Sequence, residues 1–466
     1  MLQPLLEEWD LDLRSGDPLT FPGYAAELAA LPGDSVRTGR TEHYVLIEGD
    51  FSVIGGSMGV VHGEKVVRAF DRAIELGLPV VAVNRSGGAR MQEGMVALIQ
   101  LPRTAAAARR HAKAGLLSVA VFRSPTTGGV LASYGSLCDV SVAEEGAVIG
   151  FAGPRVAEFI TEAPLGDSSH RAESAFAAGL VDAVRPLDEL AAWVDAVLGV
   201  PGSPSTVPVG AGRTATTIAE VAAVPGSGGA WHEVQLSRRP GRPTGVDLLP
   251  ALVSSWVPLG GGAADPTLQV GLATVAGARC VVLASDRYAG TGRPGPAAYR
   301  LAQRGITLAG RLGWPVVSLV DLPSAEPGAA AENDGIAREI ARTFTALADL
   351  RTPSVAVCVG EGGSGGALAL AHADVLLIQE HAIFSVIGPE AAAVILQRDA
   401  SGAPQVAEDL GLTSADVVAL GIADAVIPDD IDATVAAITA ALADAKPGQR
   451  DLRLDAASRR WLRSAD

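Results

Sequence analysis

Cysteine is scarce in this chain of 466 residues, and the three it has, Cys138, Cys280 and Cys358, stand far apart inside apolar runs. There is no CxxC pair, which excludes a zinc site of the usual ligand spacing and a disulfide framework. What remains is buried free thiols in a reducing compartment. Histidine is scarce too. Seven are scattered along the chain, none in H-E-x-x-H or another ligand spacing, so no metal is expected. Basic residues are the minority charge, and 36 Lys and Arg against 52 Asp and Glu leave a formal net charge of −16. A nucleic-acid surface needs a net basic face, so that class of partner is excluded. A few arginines in one cleft can still hold an anionic ligand. Long hydrophobic runs are missing: no stretch of about 18 uninterrupted apolar residues occurs, and no membrane span is expected. The opening MLQPLLEEWDLDLRSGD is acidic and lacks the basic start and apolar centre of a secretory signal. The expectation is a soluble, cytoplasmic protein.

Recognisable side-chain catalysts are also missing. There is no G-x-S-x-G elbow. The acids near expected turns, Glu93, Asp321 and Glu326, have no evident paired partner, and a lone acid at such a place commonly caps a helix.

Apolar residues, by contrast, make up 48% of the chain, enough for a sizeable core in each of two or three domains. After an arm (residues 1–40), short apolar strands alternate with amphipathic helices. YVLIEGDFSVI reads as strands, and GEKVVRAFDRAIELG places Val66, Val67, Phe70, Ile74 and Leu76 at helical spacing and stops at Gly77. LPVVAVNRSGG is a buried strand entering a glycine turn, LIQLPRTAAAARRHAKAG a helix, LLSVAVFRSPTTGG a strand and turn, and DVSVAEEGAVIGFAGP two further strands. The second half replays this order. ELGLPVVAVNRSGGARMQEG is mirrored by RLGWPVVSLVDLPSAEPGAA, and CDVSVAEEGAVIGFAGP by ADVLLIQEHAIFSVIGP. The period is far beyond that of a solenoid, so the chain is two copies of one α/β domain. A Gly-, Pro-, Ser- and Thr-rich stretch without apolar periodicity separates them. The boundaries are 1–204 for the first domain, 205–228 for the linker (with TTIAEVAAV a candidate short helix at its end) and 229–466 for the second.

Both copies follow the letters SVAV, at Ser118–Val121 and Ser354–Val357, with a glycine pair at the start of an alanine-rich run: SPTTGGVLASYGSLCDV and GEGGSGGALALAHADVL. N–H groups at a helix start are unpaired and partly positive, and glycine lets a carbonyl oxygen approach them closely. An oxygen that becomes an enolate gains most from such a cradle. Two copies suggest two enolate-like species facing one another. The alternatives are tight helix–strand packing or a phosphate-binding turn, but neither copy fits G-x-G-x-x-G with a following acid, or a Walker loop.

The motifs GGSMGVVHGE, SGGARMQEG, PTTGG and GEGGSGG, in that order, together with WHEVQLSRRPGRP and FSVIGPEAAAVIL, closely resemble bacterial acetyl-CoA carboxylase carboxyltransferase. The first half resembles its β subunit and the second its α subunit, over roughly residues 17–190 and 230–428. The resemblance implies two tandem crotonase-like (ββα spiral) domains. It also implies transfer of a carboxyl group from biotin on a separate carrier protein to the α-carbon of an acyl-CoA, acetyl-CoA by default. One glycine cradle would hold the biotin ureido oxygen and the other the enolate oxygen. Biotin itself would take the α-proton, which fits the missing side-chain catalysts.

Residue by residue, Gly128 and Gly129 would cradle the thioester carbonyl, and Gly365, Gly366 and Ala367 the ureido oxygen. Ser86, Gly87 and Gly88 would form the wall turn of the first domain, with Arg90 bracing its loop, and Ser324 and Glu326 would sit in the matching turn of the second. Arg238, Arg239, Arg242, Arg293 and Arg300 would be candidates for CoA phosphates, or else plain surface arginines.

The arm lacks the four-cysteine zinc ribbon that usually opens the β subunit. DLPSAEPG stands where Asp-Thr-Pro-Gly-Ala-Tyr-Pro-Gly is usual, with Ser324 for a glycine and Glu326 for an aromatic. With no MKM attachment motif and no ATP-grasp module, biotin carboxylase and the biotin carboxyl carrier protein are expected as separate chains. Family members face the β-type domain of one protomer to the α-type domain of another, which implies a homodimer or a higher multiple. Two other readings are a decarboxylase of malonyl thioesters and a non-catalytic carboxylase paralogue, the latter suggested by the altered turn.

Overall fold

A computed structural model of the chain describes residues 3–161, 169–178, 180–198, 229–259 and 265–464. The linker assigned to 205–228, with its candidate helix, lies outside the described residues. Each half builds an eight-stranded sheet of the same topology. In the first, Glu7–Glu8, Val36–Arg40 and Val45–Gly49 pair antiparallel, and Val45–Gly49, Val80–Ser86, Ser118–Thr127, Val140–Glu144 and Ala183–Arg185 continue in parallel. In the second, Val253–Pro258, Leu268–Val275 and Ala278–Ser285 are antiparallel, followed in parallel by Val316–Leu322, Ser354–Gly363, Val375–Gln379 and Ala425–Ile427. The central strands are continuously apolar because both faces are covered.

The duplication extends to irregularities. Val80 pairs with Ser118 and Val316 with Ser354, and the register slips between Asn84 and Ser86 in one copy and between Val320 and Leu322 in the other. Beyond the slip the longest strand of each half keeps that neighbour but leaves the strand on its other side, Val140–Glu144 or Val375–Gln379. Thr126–Thr127 pair with Ile149–Gly150, and Glu361–Gly363 with Ile383–Ser385. A strand that serves two sheet directions in succession, each turn closed by a helix, is the ββα spiral expected above. Both halves have the crotonase-like fold.

The helices Val60–Leu76 and Pro296–Leu312 occupy matching places and stop at Gly77 (φ 65°) and Gly313 (φ 71°), the left-handed C-terminal positions that favour glycine. Val66, Val67 and Phe70 are buried as their spacing predicts, whereas Leu76, in the last turn, is exposed. YVLIEGDFSVI is not strand throughout. Val45–Gly49 is, but Asp50 then caps Ser52 and the chain turns into a short 3-10 segment, Ile54–Gly56. The arm is not separate either, since Glu7–Glu8 and Val36–Arg40 are sheet strands and Leu13–Ser15 pairs with Leu462–Ser464.

Each sheet has its own small core on the outer face, and one large core runs between the halves. There the helices Gln100–Lys113 and Ile336–Asp349 pack together, joined at their ends by Arg109 and Lys113 to Asp349. The helix Gln449–Arg459 bridges the halves: Arg450 bonds Asp374 of the second at 2.8 Å, while Asp455 and Ser458 take bonds from Arg103 and Gln100 of the first at 2.6 and 2.9 Å. Among the described residues no helix is long and apolar enough to cross a membrane.

Candidate functional site

The inner faces of the two halves enclose a cleft of about 1880 Å³. Its first wall is built where Val80–Ser86 ends and the helix Gly128–Leu131 begins. Met58 forms a parallel bridge with Ala89, donating to Gly88 O at 2.8 Å and accepting from Arg90 N at 3.0 Å. Gly88 C=O and Ala89 N–H belong to one planar trans peptide and point in opposite directions, so the N–H of Ala89 points away from Met58, towards the glycine turn. Gly88 (φ 115°) and Gly128 (φ 59°) meet there: a Cβ on Gly128 would stand 2.7 Å from Gly88 Cα, so neither turn admits a side chain. Gly128 N–H is already used, donating to Phe151 O at 3.0 Å. Gly129 lies in the first turn of the helix, where no intrahelical acceptor exists for its N–H. A Cβ on Gly129 would stand 3.4 Å from Ala89 N. The donors gathered on this wall are therefore Ala89 and Gly129.

The second half repeats the arrangement with Ser364 (φ 58°) in the place of Gly128, Gly365 in that of Gly129 and Ala325 in that of Ala89. Ser364, Gly365, Ser324 and Ala325 all line the cleft. Gly366 lies one step deeper, its Cβ position 2.8 Å from Ala325 N and 2.7 Å from Tyr299 Oη. Ala367 is fully buried within the helix. Between the two walls stands Leu101. A Cβ on Gly129 would meet its Cδ1 at 2.9 Å, and a Cβ on Gly365 its Cδ2 at 2.9 Å.

Of the residues predicted for the site, Gly87, Gly88, Gly128, Gly129, Gly365, Arg238, Arg293 and Ser324 line the cleft. Ser86 stands behind it, its Oγ accepting from Gly88 N–H at 3.0 Å. Glu326 braces its own turn through Gly328 N and Thr291 Oγ1. The arginines divide sharply. Arg242 is buried against Val359 O, Gln379 and Asp429; Arg239 pairs with Asp429, and Arg300 with Asp334. Arg238 lines the cleft but is neutralised by Glu361 at 2.6 Å and Glu390 at 2.6 Å. Arg293 alone of the five has no carboxylate partner among the described residues. Its Nε donates to Ser324 Oγ at 3.2 Å.

Behind the second wall, burial would raise the Glu361 carboxyl, but Arg238 and then Arg287 outweigh it and bring the pKa to about 2. Burial prevails at Asp321, pushed up to about 6 against the opposing charge of Arg287. On the first wall, Arg90 is fully buried and holds Asp34 through two bonds of 2.9 and 3.0 Å, with further bonds to Ser35, Ser57 and Tyr24. It braces its loop, as its sequence suggested.

Ala89, Ala325 and Leu101 were not singled out from sequence. The alanines had a signal, since SGGAR and LPSAE align with alanine in the same register of each turn. The two domains thus bring the matching turns at Ala89–Gly129 and Ala325–Gly365 to one cleft. The residues 21–191 match the family model described as carboxyl transferase domain, and 223–447 that described as acetyl co-enzyme A carboxylase carboxyltransferase-like. The chain is 44% identical over 400 residues to the acetyl-coenzyme A carboxylase carboxyl transferase subunits beta/alpha of Salinispora tropica, covering 82% of this chain and 70% of the relative. It is 38% identical over 443 residues to the probable biotin-dependent acyl-coenzyme A carboxylase beta3 subunit of Mycobacterium tuberculosis, covering 91% and 86%. A solved structure, that of transcarboxylase 12S, matches at 24% identity over 91% of this chain and 84% of that one, with a TM-score of 0.41, too low to carry over the placement of the domains. The chain belongs to the carboxyltransferases of the biotin-dependent acyl-CoA carboxylases. Residues of the β-type and the α-type half line one cleft within the chain.

Proposed function

We propose that this chain transfers a carboxyl group from carrier-borne carboxybiotin to the α-carbon of an acyl-CoA, with acetyl-CoA as the acceptor. The observation that supports this reading is the convergence of the Ala89–Gly129 and Ala325–Gly365 backbone donors on one cleft, on either side of Leu101. Bound carboxybiotin supplies the carboxyl group and the base, so the chain need contribute no proton acceptor. The glycines at 129 and 365 leave room that a Cβ would fill, and that space suits a carbonyl or ureido oxygen. Ala89 and Gly129 hold the thioester oxygen as charge develops on it, and Ala325 and Gly365 hold the oxygen on the other side. Losing one such donor costs about 10²–10³ in rate. Leu101 keeps the floor between them apolar, where each hydrogen bond is stronger than in water.

Arg293, free of a carboxylate partner among the described residues, is the arginine best placed to meet a CoA phosphate. Biotin carboxylase and the biotin carrier protein are its proposed partners as separate chains, and the compartment the cytoplasm. Assembly into a homodimer or a higher multiple belongs to the same proposal. A test is carboxylation of free biotin by malonyl-CoA, followed by a panel of alkylmalonyl-CoA donors with longer chains. Transfer that is lost in Gly129→Ala supports the reading. Biotin-independent decarboxylation of malonyl-CoA, or CoA binding with no exchange of label, refutes it.

A further inference from the structure

The two walls are joined by a contact that neither the cradles nor the substrate reading requires. Glu332 belongs to the short helix Ala329–Asn333, which follows directly on the Leu322–Gly328 turn carrying Ala325. Its carboxylate is buried and crosses to the first half. Oε2 accepts from Phe151 N–H at 2.8 Å and Oε1 from Ala152 N–H at 2.9 Å. His170 Nε2 stands 3.4 Å from Oε1 on the far side. Phe151 in turn touches both walls. Its carbonyl oxygen takes the Gly128 N–H at 3.0 Å, and its ring Cε2 lies 4.0 Å from where a Cβ on Gly365 would be.

We infer that Glu332 is a positioning residue which, from the second domain, sets the orientation of the first domain's N–H donors through Phe151. Two adjacent N–H groups held by one carboxylate are charge-assisted bonds, stronger than neutral ones. They fix the Phe151–Ala152 peptides in rotation as well as place. With Phe151 O fixed, the Gly128 peptide is fixed, and the next N–H, that of Gly129, is aimed into the cleft. The same helix is anchored one turn from Ala325 through Glu332 N–H to Gly328 O at 3.0 Å. One side chain thus ties the turn that carries Ala325 to the donors of the first wall. A misplacement of about 1 Å can cost about 10²-fold in rate.

This inference rests on the carboxyl-transfer reading for its kinetic arm only. Glu332→Ala removes both acceptors. Glu332→Gln keeps one and turns an amide N–H towards the other backbone donor. Both full-length variants are compared with the parent for kcat and KM in acyl-CoA-dependent transfer, for melting temperature, and for amide hydrogen exchange over residues 126–131. The expected result is kcat lower by about 10²-fold for alanine and about tenfold for glutamine, KM for acyl-CoA within about twofold, and faster exchange at 126–131. Should alanine fail to fold, the glutamine variant is read alone. Unchanged kcat in the readable variants overturns the inference, and so does a fall in kcat with exchange at 126–131 unaltered. If the parent shows no transfer, the function reading fails, and the exchange arm still decides the role of Glu332.

Discussion

Substituting Gly129 by alanine is the smallest perturbation that reaches the centre of the argument. Gly129 lies in a right-handed helical turn, its φ not positive, so alanine fits its backbone without strain. The added methyl would stand 2.9 Å from Leu101 Cδ1, inside the ordinary 3.5–4.0 Å separation of carbons. That contact is with the end of a flexible side chain, which can yield, and the stability cost is expected at about 1–2 kcal/mol. The second contact matters more. The methyl would lie 3.4 Å from Ala89 N, competing for the space an acceptor oxygen needs at about 2.9 Å from that nitrogen. Loss of one oxyanion donor corresponds to about 2.7–4 kcal/mol, a fall in kcat of about 10²–10³. The assay is malonyl-CoA-dependent carboxylation of biotin, with KM and melting temperature measured alongside. A second variant adds Leu101→Ala, which relieves the first contact and leaves the second. If the loss came from displacing Leu101, the double variant recovers activity, and the oxyanion account is wrong. A Gly129→Ala enzyme with kcat within about twofold of the parent refutes it outright.

Gly366→Val is expected to unfold the second turn as well as stop turnover, because its Cβ would stand 2.8 Å from Ala325 N and 2.9 Å from Ala325 Cβ; thermal melting separates it from Gly129→Ala. Ser364 holds φ 58° without being glycine and its hydroxyl has no hydrogen-bond partner, so Ser364→Gly should stabilise by about 1 kcal/mol or more, seen as a higher melting temperature. Asp321, with its pKa raised to about 6 from 3.8, keeps a proton in the folded chain that the unfolded chain has released. Stability therefore falls as pH rises through that window, by roughly 3 kcal/mol in all. Glu361, lowered to about 2 from 4.5, contributes the opposite slope at lower pH. Denaturant titrations of Asp321→Asn between pH 4 and 6 should show the decline removed, and an unchanged slope counts against the assignment. Arg293→Ala should raise KM for acyl-CoA by about tenfold or more with kcat little changed, and should flatten the salt dependence of KM; equal kinetics at low salt would remove Arg293 from CoA binding.

The α/β order and the duplication were legible because apolar periodicity is a local property, and both copies keep it. The glycines at 128, 129 and 365 were legible for a related reason, since a positive φ or a close approach leaves a mark on residue type. Ala89 and Ala325 leave only their shared register in the two turns, not a residue type that the place demands. Their use depends on the direction of a backbone N–H, fixed at Ala89 by the bridge to Met58 from another element. The arginines show the opposite failure. Arg238 and Arg242 read as free cations in SRRPGRP, but their carboxylates, Glu361 and Asp429, come from distant parts of the chain. The bridging of the halves by Gln449–Arg459 was hidden likewise, because the bonds of Gln100 and Arg103 to it are tertiary contacts without a sequence pattern. In YVLIEGDFSVI the propensity for strand is overridden by Asp50, whose side chain takes the N–H of Ser52.

Leu101 gives one methyl to each glycine wall, and this bears on any attempt to change what the cleft accepts. Shortening that side chain would deepen both recesses together, so altered acceptor range and altered carrier-cofactor fit would arrive as one phenotype. Independent tuning has to be sought on surfaces that a single half contributes, such as Phe51, Ile54 and Val148 in the first or Ile387 and Ile395 in the second. A library built on that division would separate the two specificities, whereas one centred on residue 101 would confound them.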